Sequence, residues 1–469
     1  MAVRSSSLLE DSQLQPFAGI YATYMLPNNH PDPEVRFSEL CQAIKAVYAS
    51  TFSEDARAYI AGTPYRLEEE KMAVLVQEMV GRAYGERFYP TVSGVALSYN
   101  YYPFAHQKAD DGIVLLALGL GHQVVRGGTA LQFSPADPGI LPQYSSAQEF
   151  LRYSQKGFYA LDLSKRVQSF VGDESFLVHC ELDQAEADGT LGSVASVYSR
   201  EDDVLRDNLT LGGPRVVTFN NILRWGAIPL APALRELLHV AKESLGCPVE
   251  MEFAVDIPSP AHNRDGRAPV LHVLQLRPQA TQLLDAAVDL EHHDADEVLC
   301  RTDRSLGHGV YEEVRDVVYV KRDDLDPRET PLVARQVGDI NAQLLASRTP
   351  YLLIGPGRWG SSDPRLGVPV KWAQIAGAKL IIETSFADRD VEPSQGAHFF
   401  HNVTSFRIGY MTLGERLDEG KRFLDRAWLE AQPAVFETAE VRHIRLATPL
   451  RARLDGRKGA AVVLKPRPA

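Results

Sequence analysis

The sequence predicts a mixed α/β (α+β) fold in two units, and three observations lead to this prediction. Segments with helical spacing of apolar residues alternate with short runs rich in Val, Leu and Ala that suit strands. Gly, Pro and Asn separate these runs. One stretch, 285–297, contains six acidic residues and two His and is typical of a solvated boundary. We therefore expect a domain over 1–284, a linker over 285–297 and a smaller mixed α/β domain over 298–469.

The first unit contains two predicted helices. Apolar residues recur at three-and-four spacing over 33–52, which predicts an amphipathic helix. A second helix over 231–245 ends at Gly246, a residue that favours helix termination. The predicted strands of this unit are 72–80, 93–99, 112–118, 249–255 and 270–276.

The second unit again alternates strands and helices. The predicted elements are a strand at 317–321, a helix at 332–347 and strands at 351–354 and 379–384. Near the end of the chain, Asp455-Gly456 separates two strand-like runs and predicts a hairpin.

The composition restricts the kinds of partner. The 469 residues are 45% hydrophobic, and the longest apolar stretch, 112–121, is about half of what a membrane span needs. A formal net charge of -12 argues against nucleic acid, which binds through clustered Lys and Arg. The first residues lack the apolar core of a secretory signal. We expect a cytoplasmic protein with no membrane and no nucleic-acid partner.

The first residues contain a candidate phosphate site. Arg4 stands in a Val-Arg-Ser-Ser-Ser run, and Gly19 lies in a loop of small residues over 16–23. A guanidinium offers a fork of donors to phosphate oxygens, and a glycine lets backbone N–H groups approach a phosphate closely. A polar loop with a surface Arg is the alternative interpretation.

The predicted strand 72–80 is a candidate adenine site. Its last residues are Gln77, Glu78, Met79 and Val80. The main chain at the end of a strand can present N–H and C=O groups to a purine edge. The same residues would equally suit an ordinary core strand.

Two acidic residues form a candidate metal site. Glu250 and Glu252 are two apart on a predicted strand and share a face, as do Gln275 and Arg277 on the next strand. Neighbouring carboxylates repel unless a cation joins them, and Mg²⁺ takes one or two carboxylates together with substrate phosphates. In the alternative, Arg277 balances the two acids in a salt-bridged pair of strands.

Together these motifs resemble the ATP-binding domain of phosphoenolpyruvate synthase and pyruvate phosphate dikinase. The resemblance covers about residues 2 to 281 and includes Ser-Gly-Val-Ala at 93–96, Gly-Leu-Gly at 119–121 and Leu-Gln-Leu-Arg-Pro at 274–278. It implies an ATP-grasp fold that binds Mg-ATP. It also implies roles for particular residues: Arg4 on the phosphates and in catalysis, Gly19 in the phosphate loop, Gln77, Glu78, Met79 and Val80 along the adenine, Glu250 and Glu252 on the metal, and Glu252, Gln275 and Arg277 on the nucleotide.

The sequence also departs from that family. The family's domain normally begins with a glycine-rich segment carrying a phosphate-binding Lys, whereas here the Arg4 motif comes first. We therefore expect an incomplete, amino-terminally truncated ATP-grasp domain, a misassigned start, or a separate chain that supplies the Lys-bearing subdomain. His122 replaces the Glu that relatives often carry after Gly-Leu-Gly. No pyruvate barrel fits after residue 290, so the acceptor is open between a small molecule and a histidine.

The carboxyl-terminal unit holds two further candidates, in segments similar to those of a less studied group of synthase-like proteins. Gly355, Gly357 and Arg358 follow a strand and predict either a second anion site or a tight turn. His398 is a candidate phosphoryl acceptor or general acid/base, with a core histidine as the alternative.

These observations favour an ATP-dependent phosphotransferase module. A nucleotide-binding regulatory protein without chemistry and an assembly scaffold are the alternatives.

Overall fold

The computed structural model describes most of the chain. The described residues are 1–10, 18–63, 65, 66, 68, 70–104, 106–167, 172, 174–259, 263, 266–279, 288, 290, 293, 294, 296–387, 391–393, 395–406, 408–414 and 422–466. Much of the predicted linker, and Pro16 and Phe17 of the predicted phosphate loop, lie outside them. Among the residues that the structure describes, no helix is long and apolar enough to cross a membrane.

The chain divides into two compact units. Each unit includes one short segment whose neighbours in the sequence belong to the other unit. The first unit comprises Met1–Ala56, Leu67–Gln279 and Gly396–His398, and the second comprises Arg57–Arg66, Ala280–Gln395 and Phe399–Ala469. Both contain sheets and helices, which confirms the predicted mixed α/β class.

Up to residue 279, short strands alternate with helices in the described part of the chain. The strands are β1 Ala2–Ser7, β2 Thr23–Met25, β3 Met72–Gln77, β4 Arg82–Tyr84, β5 Arg87–Tyr89, β6 Val92–Leu97, β7 Ile113–Leu118, β8 Leu131–Phe133, β9 Gly157–Asp162, β10 Leu177–Glu181, β11 Ala195–Ser199, β12 Val204–Arg206, β13 Arg215–Val217, β14 Val249–Asp256 and β15 Val270–Pro278. The helices are α1 Pro33–Ser50, α2 Glu54–Ala61, α3 His122–Val125, α4 Ala147–Tyr153, α5 Leu182–Ala187, α6 Asn220–Leu223 and α7 Leu230–Leu245.

Two sheets of the first unit position the site. One has the antiparallel order β2-β1-β3, and the other has the antiparallel order β15-β14-β6-β7-β8. Two further sheets, β10-β9-β5-β4 and β12-β11-β13, complete the unit. The strand candidates 72–80, 93–99, 112–118, 249–255 and 270–276 are confirmed as β3, β6, β7, β14 and β15.

Helix α1 begins and packs for identifiable reasons. The side chain of Asp32 caps the backbone N–H of Glu34, and Pro33 occupies the first turn, where its missing N–H costs no helical bond. Its buried residues are Glu39, Ala43 and Val47. The predicted apolar positions 37 and 48 lie outside this face, since Phe37 is 64% and Tyr48 47% exposed.

Helix α7 confirms the second helix prediction more closely. Leu234, Leu238 and Ala241 are buried, as the spacing requires. Gly246 ends the helix with φ of +66°, and its N–H bonds to the carbonyl of Lys242. Leu245, the last apolar residue of the pattern, is 42% exposed.

The second unit is built around a mixed seven-stranded sheet. After residue 296 the strands are β16 Val298–Thr302, β17 Ser305–Leu306, β18 Gly309–Tyr311, β19 Asp316–Val320, β20 Tyr351–Pro356, β21 Arg358–Trp359, β22 Gly367–Val368, β23 Ala378–Thr384, β24 Gly409–Thr412, β25 Phe423–Leu424, β26 Ala434–Glu437, β27 Val441–Arg445, β28 Arg451–Asp455 and β29 Ala460–Leu464. The helices are α8 Thr330–Ala346, α9 His398–Ser405 and α10 Arg426–Ala431. The sheet order is β17-β24-β23-β20-β19-β27-β26, in which β19, β20, β23 and β24 are parallel.

The predicted elements of the second unit are present. Strands β19, β20 and β23 and helix α8 match the predictions within a few residues. Strands β28 and β29 form the predicted hairpin, closing with Asp455 opposite Ala460. They belong to a second sheet of order β18-β28-β29-β16-β25, and β21 and β22 form a short parallel pair.

Candidate functional site

A pocket in the first unit gathers residues that lie far apart in the sequence. Its walls come from β1, β3, β14 and β15, from the loop around Gly19 and from the segment Gly396–His398. The predicted site residues that line it are Arg4, Gly19, Gln77, Glu78, Met79, Val80, Glu252, Gln275, Arg277 and His398. Glu250 lies beneath this surface instead of lining it.

Arg4 and Gln275 bring the two sheets of the site together. Arg4 lies on β1, the middle strand of its sheet, and Gln275 lies on β15, an edge strand of the other. The Nη2 of Arg4 donates a hydrogen bond to Oε1 of Gln275. This bond holds the guanidinium at the pocket wall, where a phosphate could approach it.

Arg277 lies between the two predicted metal ligands. Glu250 is opposite Arg277 in the β14–β15 pair, and Glu252 is opposite Gln275. Nε of Arg277 donates to Oε1 of Glu250 at 2.8 Å, and Nη2 donates to Oε1 of Glu252 at 2.9 Å. The side chains of Arg277 and Glu250 are each 2% exposed, whereas that of Glu252 is 20% exposed. Glu250 therefore forms the buried salt bridge of the alternative interpretation, and Glu252 is the one of the two carboxylates that lines the pocket.

The same contacts determine the charge of Glu252. Burial alone would raise the pKa of Glu252, but the approach of His398 and the charges of Arg277 and Arg4 outweigh it and hold that pKa below its ordinary value. Burial lowers the pKa of the His398 imidazole, and the charge of Arg277 acts in the same direction against the opposing effect of Glu252. At neutral pH the pocket therefore contains a charged Glu252 beside a neutral His398.

His398 reaches this pocket through a close approach to Gly19. Gly19 has φ of +64°, and a Cβ placed on it would lie only 2.2 Å from Nδ1 of His398. On its other side, Nε2 of His398 lies 3.6 Å from Oε1 of Glu252, which is beyond hydrogen-bond length but within ion-pair range. Gly396 lets the segment pack closely against the sheet, since a Cβ at that position would lie 3.0 Å from Leu115 and 3.2 Å from Val95.

A comparison with protein families agrees with this geometry. The family described as pyruvate phosphate dikinase, AMP/ATP-binding domain, matches residues 1–297, well over half of the chain. This chain belongs to that family. No curated protein matches it. Family membership supports ATP binding and a phosphotransferase-like function, and the matched range contains the pocket residues apart from His398.

In the first unit, β3 leads directly into the pocket. The strand ends at Gln77, and Glu78, Met79 and Val80 continue along the pocket wall. Apolar residues face the same cavity, as a purine ring requires. They include Met25, Leu120, Val125, Leu177, Ala254 and Leu274.

Several polar pocket residues had no assigned role in the sequence-based prediction, and Glu10, Tyr21, His122 and Arg126 are among them. Glu10 is buried and accepts a hydrogen bond from Ser5, and Tyr21 donates its hydroxyl proton to Glu70 at 2.5 Å. His122 and Arg126 also line the pocket. Their four-residue spacing, which places two side chains on one face of a helical turn, was the available signal for that pair.

The predicted second anion loop belongs to the second unit, and its residues do not line this pocket. Gly357 has φ of +66°, and a Cβ on it would meet the carbonyl oxygen of Leu366 at 2.4 Å, so the turn requires glycine. Arg358 is only 6% exposed, and its Nε donates to the carbonyl of Glu392 at 2.5 Å. An anion site formed by Gly355, Gly357 and Arg358 stays a prediction.

A buried carboxyl group accompanies that loop. Oε1 of Glu383 on β23 accepts a hydrogen bond from the backbone N–H of Trp359 at 2.9 Å, and Oε2 accepts one from the hydroxyl of Tyr410. Burial raises the pKa of Glu383 to about 7, although these bonds and the charge of Arg358 oppose the rise.

The pocket residues fit magnesium in part. Within the described residues, no group of three or more His, Cys, Asp or Glu side chains is arranged to hold a metal ion. Of the two predicted ligands only Glu252 lines the pocket, and magnesium commonly combines one carboxylate with substrate phosphates and water. An ion there would therefore depend on the nucleotide for several of its ligands.

Proposed function

We propose that this chain binds Mg-ATP in the pocket of its first unit and transfers a phosphoryl group from it. The observation that carries the proposal is the convergence of Arg4, Glu252 and Gln275 on one cavity beside Gly19. These residues come from distant parts of the sequence, so their proximity is a property of the fold. The family match over the same residues supports the nucleotide part of the proposal.

The nucleotide is proposed to lie with its base along the end of β3. Main-chain groups of Gln77 to Val80 would face the adenine edge, and apolar side chains such as Leu120 and Leu274 would contact its faces. The phosphates would then extend toward Arg4 and the backbone of Gly19. Positioning and charge neutralisation of this kind provide most of the catalysis in phosphoryl transfer.

Glu252 is the proposed magnesium ligand. Arg277 and His398 both approach its Oε1. Its Oε2 would therefore be the oxygen that binds the cation. Magnesium bound there would neutralise charge on the phosphates. Glu250 would act indirectly, because it holds the guanidinium of Arg277 in place from below.

His398 is the proposed group at the reacting end of the nucleotide. Its neutral imidazole lies between the Gly19 loop and Glu252, where it could act as a general acid/base or accept the phosphoryl group. The final acceptor is proposed to be a small molecule or a histidine. A regulatory protein that binds ATP without transfer is the second candidate.

Turnover distinguishes these two candidates. Purified full-length chain is incubated with Mg-ATP, and the products ADP, AMP and phosphate are separated by chromatography while the protein is tested for acid-labile phosphate. The phosphotransferase proposal expects a nucleotide product that depends on time and falls in Glu252→Gln and His398→Gln. Saturable ATP binding without any product would contradict transfer and leave the regulatory function.

A matched pair of variants tests the role of Glu252. Glu252→Gln keeps the shape of the side chain but removes the charge, so Mg-ATP should bind more weakly while ATP with a chelator should bind almost as before. Glu437→Gln, in the second unit, removes one exposed carboxylate and serves as the control. Unchanged affinity for Mg-ATP in Glu252→Gln would remove Glu252 from the proposed metal site.

A further inference from the structure

His122 and Arg126 form a second polar group in the pocket, separate from Arg4 and Arg277. His122 is the first residue of the short helix α3, Arg126 directly follows its last residue, and both line the cavity. The Nε2–H of His122 donates to Oε1 of Glu174 at 3.1 Å, and Nη2 of Arg126 lies 3.5 Å from the same oxygen. One carboxylate oxygen is thus shared by an imidazole and a guanidinium.

The charge of the pocket explains why this second group matters. Arg277 is buried against Glu250 and Glu252, so its charge is already compensated. Arg4 donates to the neutral side-chain amide of Gln275, so this hydrogen bond does not neutralise its charge. A triphosphate carries several negative charges, and one guanidinium with one metal ion balances only part of them. Arg126 is the remaining arginine among the described residues that line the pocket.

Glu174 is the most exposed of the three groups. Its side chain is 49% exposed and does not line the pocket, whereas the side chains of Arg126 and His122, which do line it, are 39% and 8% exposed. The ring of His122 is also fixed against Tyr159, with ring centroids 4.8 Å apart at 72°. The imidazole of His122 is therefore held from the protein side, whereas the carboxylate of Glu174 lies half in solvent and can turn toward it.

We propose that His122 and Arg126 form an oxyanion subsite of the nucleotide pocket, which the carboxylate of Glu174 occupies until an anionic ligand replaces it. This inference rests on the proposed function, because it assigns part of the same pocket. The ligand chemistry is an oxyanion, carried either by the phosphates of the nucleotide or by an anionic phosphoryl acceptor. Glu174 then competes with the ligand for the same two donors.

A double-mutant cycle tests the competition. Glu174→Gln removes the competing charge and should tighten anion binding, whereas Arg126→Gln should weaken it, each by about tenfold, the scale of one hydrogen bond to a charged group. In the double variant the gain from Glu174→Gln should shrink, because the carboxylate and the ligand then compete only for the imidazole of His122. Asp202→Asn and Arg206→Gln, an exposed pair outside the pocket, provide the matched controls.

Calorimetric titrations of the full chain with ATP, AMP and inorganic phosphate identify the source of the oxyanion. If the subsite binds the nucleotide's own phosphates, Glu174→Gln increases the affinity for ATP and leaves the affinity for AMP unchanged. If it binds an acceptor, the same variant increases the affinity for inorganic phosphate in the presence of saturating AMP and leaves the affinity for ATP unchanged. Either result supports the subsite, and circular dichroism confirms that each variant is folded.

Two other results have separate meanings. Wild-type chain that binds ATP, with affinities for ATP and phosphate that Glu174→Gln does not tighten, overturns the subsite and leaves the proposed function intact. A gain of the same size in the double variant also overturns it, because the effect would then not depend on Arg126. Wild-type chain that binds no nucleotide overturns the proposed function, and phosphate binding that Glu174→Gln tightens would then still support the subsite.

Discussion

Arg4 donates a hydrogen bond to the side-chain amide oxygen of Gln275, a residue 271 positions further along the chain. The bond joins β1 to the edge strand β15 and so connects the two sheets that form the pocket. A guanidinium that is held by a neutral amide keeps its charge for a ligand. The position of Arg4 therefore depends on the fold of the whole first unit.

Replacing Arg4 tests its assignment to the phosphates. Arg4→Gln should lower the affinity for Mg-ATP by about tenfold, the scale of one hydrogen bond to a charged group. The affinity for AMP should fall less. Isothermal titration calorimetry measures both affinities. Arg36→Gln is the control, since Arg36 donates to backbone carbonyls outside the pocket. Equal affinities of wild type and Arg4→Gln for Mg-ATP would contradict the assignment.

Arg277 should matter more for stability than for ligand contact. Arg277→Met leaves the buried carboxylate of Glu250 without its cation, and removing one partner of a buried ion pair costs about 3–5 kcal/mol. We expect that loss in the free energy of unfolding, measured by chemical denaturation. Adding Glu250→Gln to Arg277→Met should recover part of it. A loss below about 1 kcal/mol, typical of exposed ion pairs, would show that the pair is solvated.

Two glycines with similar backbone conformations separate strain from steric contact at the site. Gly19 has φ of +64° and Gly85 has φ of +59°, but a Cβ on Gly85 meets nothing within 4 Å, whereas one on Gly19 meets His398. Gly19→Ala and Gly85→Ala should each lose about 1–2 kcal/mol of stability to backbone strain. Thermal unfolding and ATP titration of both variants test this. Only Gly19→Ala should weaken ATP binding, and equal ATP affinities in the two variants would contradict the close approach of His398.

The sequence predicted local elements well because their signals are local. The period of two in β14 and β15 placed Glu250 with Glu252 and Gln275 with Arg277, and the register confirms this pairing. The approach of His398 to Gly19 could not be predicted in the same way. It depends on a three-residue segment that packs with the first unit although its neighbours belong to the second. No local pattern of hydrophobicity encodes such a long-range contact.

The electrostatic outcome at Glu250 also required the structure. From the sequence, a metal site and a salt-bridged pair of strands were equally consistent with two acids facing Arg277. The choice depends on depth, and depth is a tertiary property. Glu250 is buried with Arg277, while Glu252, two residues further along the strand, reaches the cavity.

Glu383 should make the stability of the second unit dependent on pH. Its pKa is about 7 in the folded chain against an ordinary 4.5, so the folded state binds the proton more tightly. Its contribution to stability is therefore complete at low pH and is lost as pH rises through about 7, by about 3 kcal/mol in total. Wild type should lose that much stability relative to Glu383→Gln over this range. Carbon-13 NMR of the carboxyl group measures the pKa directly, and a midpoint near 4.5 would contradict the prediction.

Mg-ATP titration into wild type and a pocket-filling variant tests the central claim most directly. Gly121 lines the pocket, and a Cβ on it would meet only Ser93, at 3.8 Å, so Gly121→Leu should place a side chain in the cavity without straining the backbone. We predict saturable binding of one ATP per chain to wild type and at least about a hundredfold weaker binding to Gly121→Leu, which is about 2.7 kcal/mol. Absence of saturable ATP binding to wild type, or equal affinity in the two proteins, would contradict the claim that this pocket is the nucleotide site.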